Sequence, residues 1–409
     1  MKFVRILTCA LCVTLLLTTP VSAKTIIIDT ESGETAEELM SHKPPKSLSG
    51  VISTAAGTAL EVGGKSAVLM ELSSGQVLFE KNTHEKLPIA SVTKIMTLLL
   101  VMEALDKGLI DLQDPVTCSS EAASMGGSQI WLEPGEIMTV HELVKAAAVV
   151  SANDACAALA EHVAGSIEEF VQRMNTRAAE LGMQDTVFKD CSGLDDTAYS
   201  CAYDVAIMSR ELMKHPLIKN YTTIWMDTLR NGESQLVNTN KLIRFYQGAT
   251  GLKTGTTSTA GHNLSATAER NGLGFVAVIL GCSTTDERFG GARKLLDHGF
   301  ANYALYTPQV DPDTLTPIPV LRGTAESVAV ESEDVAPILV KKGEENGLTC
   351  TVTLSEDVEA PVAKGQIVGT VTVTREGETV AEYPVRAAAE VPKLSFGICL
   401  LRLFAALSA

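Results

Sequence analysis

Apolar and polar residues follow two different periods along the first three quarters of the chain. Short runs that alternate or are uniformly apolar predict β-strands, and longer apolar runs with a helical period predict α-helices. The predicted strands cover residues 67–71, 76–80, 252–256, 264–270 and 273–280. The predicted helices cover residues 95–105, 141–150, 155–163, 167–181 and 291–303. Elements of both kinds between residues 51 and 307 predict one α+β domain.

The pattern changes after about residue 307. Four prolines, Pro308, Pro312, Pro317 and Pro319, mark a linker. Period-two alternation then predicts short strands at 328–330, 349–354, 367–374 and 380–385, with a hairpin turn at 375–378. Residues 308–392 are therefore predicted to form a small all-β domain. It shows no obvious chemistry and is interpreted as a spacer or a partner-docking module.

Both ends of the chain carry targeting features. Residues 1–23 have a basic start, the apolar run 6–17 and a small-x-small end, which predicts a cleaved signal peptide. The alternative is an uncleaved anchor, but the run falls short of the ~20 residues that span a bilayer. Residues 24–50 are predicted to be a linker. The apolar tail 393–409 is predicted to lie on the membrane as an amphipathic helix, or alternatively to pack on the protein itself. We therefore expect an exported protein, held peripherally on the outer face of the cell membrane.

Composition narrows the possible partners. The chain of 409 residues has 33 Lys and Arg against 49 Asp and Glu, for a net charge of −16, which argues against nucleic-acid binding. Of nine cysteines, seven lie beyond the signal peptide, and Cys191–Cys201 is a weak candidate for a disulfide. No cysteine or histidine spacing is typical of a metal site, so neither a metal nor another cofactor is predicted.

Ser91 and Lys94 form an S-x-x-K motif at the start of a predicted helix. One helical turn apart, they share a face, so an amine lies beside a hydroxyl. A serine hydroxyl is a poor nucleophile until a base removes its proton. Lysine can be that base only if its pKa is lowered by burial or by a neighbouring cation. The motif alone is weak, because about one such pairing is expected by chance in a chain of this composition.

Two further motifs follow. Ser151 and Asn153 form S-x-N, in which the serine can relay a proton and the amide can donate to a substrate carbonyl; the simpler interpretation is a helix N-cap. Lys253, Thr254 and Gly255 form K-T-G in a predicted strand, where the lysine and hydroxyls can hold a carboxylate and the glycine allows a close backbone approach. The simpler interpretation here is a surface strand with a turn glycine.

The three motifs together, in this order and 60 and 102 residues apart, are specific. The sequence resembles the low-molecular-weight penicillin-binding proteins, the serine-type D-Ala-D-Ala carboxypeptidases of bacteria, over about residues 51–392. Further matching stretches are 89–97, 151–155, 181–183, 186–188, 193–194, 251–257 and 260–261. The alanine between Ser151 and Asn153 is a mild departure, since glycine is frequent there. The resemblance implies a β-lactamase/transpeptidase-like domain, an antiparallel sheet flanked by helices, before the small β domain.

The resemblance also implies a two-step acyl transfer. Ser91 attacks the carbonyl between the two terminal D-alanines of a peptidoglycan stem pentapeptide, with Lys94 as base. Ser151 passes the proton to the leaving D-alanine, and water then releases the shortened peptide. The backbone N–H groups of Ser91 and about Thr256 form the oxyanion hole. Penicillin mimics the dipeptide and acylates the same serine. The resemblance thus implies a role in cell-wall biogenesis and remodelling.

The resemblance assigns substrate binding to a separate set of residues. It implies that Asn153 positions the peptide and that Lys253, Thr254 and Thr256 hold it at the strand. Lys253 and Thr254 would bind its terminal carboxylate. Arg288 is a further carboxylate candidate, with a surface arginine as the alternative.

Other functions share these residues. A class A β-lactamase has an E-x-x-L-N glutamate that activates the deacylating water. No such segment lies between Ser151 and Lys253; the closest begins at Glu233 and has Val237 in place of the asparagine. A noncatalytic wall-binding or β-lactam-sensing module is another alternative, but the intact set of serines, lysines and asparagine in the three motifs argues against an inactive site. A sensor would also need a signalling transmembrane segment, and none is predicted after cleavage of the signal peptide. D,D-endopeptidase and transpeptidase activities use the same residues and stay open.

Overall fold

The computed structural model describes residues 60–332 and 336–408. The predicted signal peptide, the predicted linker and the first residues of the predicted catalytic domain lie outside these ranges. The strands before residue 310 are β1 (Ser66–Glu71), β2 (Val77–Lys81), β3 (Pro115–Thr117), β4 (Ile137–Thr139), β5 (Met226–Leu229), β6 (Ser234–Val237), β7 (Ala249–Thr257), β8 (Gly261–Arg270), β9 (Leu273–Cys282) and β10 (Tyr303–Tyr306). The helices there are α1 (Lys94–Asp106), α2 (Ser120–Ala123), α3 (Val140–Val149), α4 (Asn153–Ala164), α5 (Ile167–Glu180), α6 (Ala202–Met213), α7 (Lys219–Thr222), α8 (Leu242–Phe245) and α9 (Thr285–Asn302).

Five strands form the central antiparallel sheet in the order β2-β1-β9-β8-β7. Strand β9 lies in the middle, and its residues are almost all buried because both faces of the sheet are covered. Strand β7 ends the sheet, so one side of its backbone is left open. The K-T-G motif therefore lies on an edge strand, where an extended peptide can pair.

Two apolar cores cover the two faces of this sheet. Alternate residues of β1 divide between them: Val68 and Met70 pack with α1 and α3–α6, whereas Ala67 and Leu69 pack with α9. Helix α1 is buried almost throughout, which explains its nearly continuous apolar sequence. It runs through the middle of the larger core, so its first residue, Lys94, is buried as well.

The remaining chain is β-rich, as predicted. Its strands are β11 (Ile318–Leu321), β12 (Ser327–Val328), β13 (Val330–Ser332), β14 (Ile338–Lys341), β15 (Leu348–Leu354), β16 (Val358–Glu359), β17 (Ile367–Arg375) and β18 (Glu378–Ala387). A four-stranded sheet has the order β13-β18-β17-β15, while β14 pairs with β10. Helix α10 (Phe396–Ser408) follows. The limits placed at residues 307 and 392 stay predictions.

The predicted Cys191–Cys201 disulfide is absent, because all seven cysteines of the described residues are free thiols. Cys201 precedes α6, where its Sγ accepts the Asp204 backbone N–H at 3.4 Å. Cys191 lies instead in a loop whose backbone contacts α1: its carbonyl accepts from the Thr97 hydroxyl at 2.6 Å. Each residue is thus held by a different contact.

Candidate active site

Ser91 and Lys94 come together as the S-x-x-K spacing predicts. Ser91 lies in a 3₁₀ turn, Ala90–Thr93, immediately before α1. The Nζ of Lys94 lies 3.0 Å from the Oγ of Ser91. Ala90 has a φ of 49°, a backbone conformation that a residue with a side chain rarely adopts. Such strain is concentrated at functional sites, where the surrounding structure enforces it.

Lys94 lies fully buried among oxygen acceptors. Besides Ser91, its Nζ donates to Asn153 Oδ1 at 2.5 Å and to the carbonyl of Ser192 at 2.6 Å. Burial lowers the pKa of Lys94 from its ordinary value, and nearby Asp154 and Asp190 oppose part of that shift. A lowered pKa increases the fraction of neutral amine at neutral pH. A neutral amine 3.0 Å from a serine hydroxyl can accept its proton.

The S-x-N residues lie at the opening of α4. Ser151 has a φ of 65°, and its buried Oγ makes no hydrogen bond to any described residue. Helix α4 begins after Ala152, which has no capping side chain. The N-cap interpretation of this motif is therefore wrong. Asn153 instead joins Lys94 to the preceding loop, because its Nδ2 donates to the Gly126 carbonyl at 2.6 Å.

A neighbouring carboxylate holds that loop in place. Asp154 is buried and accepts the backbone N–H groups of Ile130 and Leu132 at 3.0–3.2 Å. These donors come from a segment without regular structure, so an internal acceptor replaces the water they would otherwise need. Asp154 therefore fixes the loop against which Asn153 is oriented.

The K-T-G strand lies against the nucleophile. A Cβ added to Gly255 would stand 2.5 Å from the Ile89 carbonyl oxygen and 3.1 Å from the Ser91 nitrogen. Only glycine therefore allows β7 to approach this closely. The Thr254 hydroxyl donates to Thr239 Oγ1 at 2.8 Å. The side chains of Lys253 and Thr254 are buried, so the surface-strand interpretation is wrong.

Lys253 is a second buried amine in the same site. Its Nζ donates to the Thr254 carbonyl at 2.9 Å. Burial lowers the pKa of Lys253 well below its ordinary value, and the positive charges of Lys94 and Arg288 lower it further. A bound anion would relieve both effects.

Arg288 extends from α9 to strands β7 and β8. Its Nη1 donates to Thr256 Oγ1 at 2.9 Å and to the carbonyls of Gly255 and Asn263 at 3.3 Å. It is buried, and burial lowers the pKa of its guanidinium. The surface-arginine alternative is therefore wrong. Thr256 and Arg288 form one hydrogen-bonded pair beside Gly255.

One part of the site was not predicted from sequence. The loop Asp190–Gly193 supplies the Ser192 carbonyl that accepts from Lys94. The Asp190 carboxylate accepts the backbone N–H groups of Ser192, at 2.5 Å, and Gly193. A Cβ on Gly193 would meet the Ala90 carbonyl oxygen at 2.0 Å. The Gly193-Leu194 match was the only sequence signal here, since a carbonyl acceptor carries no residue signature.

The geometry supports acyl transfer. A serine hydroxyl with a buried amine beside it, a second hydroxyl without a partner and an open strand edge are the parts that nucleophilic catalysis on a peptide requires.

Residues 52–284 match the family of D-alanyl-D-alanine carboxypeptidases, and residues 303–393 match the C-terminal domain of penicillin-binding protein 5. The D-alanyl-D-alanine carboxypeptidase DacF of Bacillus subtilis is 44% identical over 337 residues, covering 81% of this chain and 87% of that protein. This chain belongs to the D-alanyl-D-alanine carboxypeptidase family.

Other comparisons agree. The carboxypeptidase DacC of Escherichia coli is 35% identical over 80% of this chain and 84% of its own length. Penicillin-binding protein 5 of Haemophilus influenzae has a crystal structure with a TM-score of 0.71 and 30% identity, covering 83% of this chain and all of that one. The ampicillin-bound penicillin-binding protein D2 of Listeria monocytogenes has a TM-score of 0.54 at 32% identity, covering 59% of this chain and 99% of that one.

These findings confirm the family resemblance, the α+β fold with its antiparallel sheet, and a serine carboxypeptidase activity. They favour the carboxypeptidase over the β-lactamase and sensor alternatives. The transpeptidase alternative stays open, because a Streptomyces DD-transpeptidase has a TM-score of 0.54 at 27% identity, covering 59% of this chain. Among the described residues, none of the helices combines the length and the apolar character that a membrane span requires.

Proposed function

We propose that this carboxypeptidase removes the terminal D-alanine from peptidoglycan stem pentapeptides through an acyl-enzyme on Ser91. The observation that carries the proposal is the 3.0 Å contact between Ser91 Oγ and the buried amine of Lys94. Neutral Lys94 takes the hydroxyl proton as Oγ attacks the penultimate carbonyl carbon. Asn153 and the Ser192 carbonyl hold the amine in place during the transfer.

The oxyanion forms where β7 meets the 3₁₀ turn. Two backbone N–H groups, those of Ser91 and Thr256, are the proposed donors. The contact that Gly255 permits supports this assignment, because it brings the backbone of β7 against the Ser91 nitrogen. Loss of a single such donor costs about 10²–10³ in kcat in other acyl-transfer enzymes.

Ser151 is the proposed proton carrier to the leaving amine. Its Oγ has no hydrogen-bond partner among the described residues and is thus available to substrate. The proton passes from Lys94 to the amine of the departing D-alanine as the C–N bond breaks. Water then attacks the Ser91 ester, and Lys94 again serves as base.

The substrate carboxylate is proposed to lie at β7, held by Lys253 and the hydroxyls of Thr254 and Thr256. Arg288 donates to the Thr256 hydroxyl and adds its positive charge. Lys253 and Thr254 are buried, so a carboxylate bound to them would form charge-assisted bonds with little competition from water. A β-lactam presents a carboxylate beside its reactive carbonyl, so penicillin is expected to acylate Ser91 in the same orientation.

The test measures D-alanine release from a stem pentapeptide ending in D-Ala-D-Ala. Ser91→Ala is expected to abolish release and labelling by fluorescent penicillin. Ser124→Ala is the matched control, because its exposed hydroxyl contacts only the Glu121 carbonyl. Labelling at Ser91 without release would instead indicate an endopeptidase or transpeptidase. If the folded protein shows neither D-alanine release nor penicillin labelling, the proposal is refuted.

We further propose that the protein is exported and that α10 holds it on the outer face of the cell membrane. Apolar side chains at Phe396, Leu400, Phe404 and Leu407 recur every three or four residues and are exposed. This spacing gives one apolar helix face, which an interfacial helix buries among lipid headgroups. Deleting residues 394–409 is expected to release the enzyme from membranes; continued sedimentation with membranes would contradict this. N-terminal sequencing of the secreted protein tests cleavage before Lys24.

A further inference from the structure

Three potential metal ligands converge away from the active-site serine. His84 Nδ1, a carboxylate oxygen of Asp185 and Cys201 Sγ all lie within 4.8 Å of one another. His84 and Asp185 are 101 residues apart in sequence, so no spacing motif could have indicated the cluster. The expectation of no metal rested on such motifs alone.

We propose that His84, Asp185 and Cys201 bind a divalent cation of the zinc type. One nitrogen, one oxygen and one sulfur ligand suit zinc, whereas calcium and magnesium take oxygen ligands. Tetrahedral bonds of about 2.0–2.3 Å place ligand atoms roughly 3.3–3.8 Å apart. His84 Nδ1 and Asp185 Oδ2 are already 3.0 Å apart. Cys201 Sγ lies within 4.8 Å of both atoms, so shifts of about 1 Å would bring all three to the spacing that tetrahedral zinc requires.

Asp204 holds two of the ligands in position. Its Oδ2 accepts the Asp185 backbone N–H at 2.8 Å, and its own N–H donates to Cys201 Sγ at 3.4 Å. Isolated antiparallel β-bridges, Val187–Tyr199 and Leu87–Ser200, connect the surrounding segments through backbone hydrogen bonds. Ligands fixed by such supporting bonds lose little freedom on binding a metal.

The site opens to solvent on the His84 side. A surface depression is lined by Glu80, Asn82, Thr83, His84 and Glu85. The His84 side chain is 63% exposed, so a cation can reach this ligand from solvent and water can supply the fourth ligand. Lys86 Nζ, 3.5 Å from Asp185 Oδ1, is the competing positive charge. Its side chain is about half exposed and can turn away.

The cation would link the two ends of the segment that supports the active-site lysine. Asp185 and Cys201 stand at the two ends of the segment containing Ser192, whose carbonyl accepts from Lys94. A bound metal cross-links these ends, and binding to the folded state alone raises its stability. The chemistry of the site does not require the metal; its expected effect is to stabilise this loop.

The test adds Co²⁺, as a spectroscopic substitute for Zn²⁺, to purified protein freed of metals by chelation. Thiolate coordination produces a sulfur-to-cobalt charge-transfer band, and tetrahedral geometry produces intense visible bands. His84→Ala is expected to weaken cobalt binding by at least about tenfold. His215→Ala is the matched control, because His215 also bonds an aspartate, Asp106, at 2.5 Å. Zn²⁺ is expected to remove the cobalt bands and raise the melting temperature of the wild type.

Cys201→Ser is expected to remove the charge-transfer band. Because Cys201 is buried, this variant is informative only if it folds, and the surface variant His84→Ala keeps the test decisive. Cys399→Ser controls for the exposed thiol of the C-terminal helix. Absence of a charge-transfer band in the wild type, or a band unchanged in His84→Ala, would overturn the proposal.

Discussion

Gly255→Ala should separate catalytic geometry from folding. The new methyl group would stand 2.5 Å from the Ile89 carbonyl oxygen, whereas ordinary contact begins at 3.4 Å. Strand β7 or the 3₁₀ turn must therefore move by about 0.9 Å. The atoms that the methyl group meets belong to the backbone of a close-packed region, so this movement is costly. Inserting one carbon into a packed interior costs about 1–3 kcal/mol of stability. We expect the variant to fold with a reduced free energy of unfolding.

The catalytic loss should be larger than the stability loss suggests. A misplacement of about 1 Å between reacting groups can cost on the order of 10²-fold in rate. The movement falls between β7 and Ser91, so it widens the proposed oxyanion hole directly. We expect kcat/KM for D-alanine release and the rate of penicillin acylation both to fall about a hundredfold.

Urea unfolding and stopped-flow acylation measure the two quantities separately. Gly290→Ala is the matched control: it lies in α9 with nothing within 4 Å of the new Cβ, so activity should be unchanged. Stability of this control should rise by about 0.5–1 kcal/mol. Acylation of folded Gly255→Ala within threefold of the wild type would refute the assignment of β7 to the oxyanion hole.

Three further predictions follow from the same contacts. Because burial lowers the pKa of Lys94 and its neutral form is the proposed base, acylation should rise with pH and level off below 10.5; a continued rise through 10.5 would contradict this. Asp154→Ala leaves the N–H groups of Ile130 and Leu132 unpaired, so urea unfolding should show a loss of about 2–6 kcal/mol, at about 1–3 per group. Arg288→Ala should lower kcat/KM about ten- to a hundredfold for peptides with a free carboxylate, but not for C-terminally amidated ones; equal losses would indicate a structural role.

The fold could be predicted where burial alone determines the pattern. Helix α1 and strand β9 are covered on all sides, and their apolar runs identified them within three residues. Helix α6 was not predicted, although it packs against α1 in the larger core. Its N-cap is Cys201, whose sulfur takes the place of the usual oxygen acceptor, so the start signal was absent. The paired strands β5 and β6 are only four residues each and were also not predicted.

The site could be predicted as far as side chains define it. The three motifs named both lysines, and the structure places them in one buried site. The sequence could not show that the Ser192 carbonyl completes the environment of Lys94, because every residue has a carbonyl. The same holds for Asp190 and Asp154, whose partners are backbone N–H groups. Parts of the site made from backbone depend on tertiary structure and leave no residue pattern.

The electrostatics of the two amines explain why they can serve different purposes. Asp154 and Asp190 act on Lys94 and oppose the effect of its burial on its pKa. Lys253 has no carboxylate among the main influences on its pKa; Lys94 and Arg288 both disfavour its charge. The substrate carboxylate proposed to bind here would supply the missing negative charge at Lys253 and Arg288. The same carboxylate would also stabilise positive Lys94 as this proposed base gains the Ser91 proton. In the proposed function, preference for a free C-terminus and activation of the nucleophile would thus follow from one arrangement of charges.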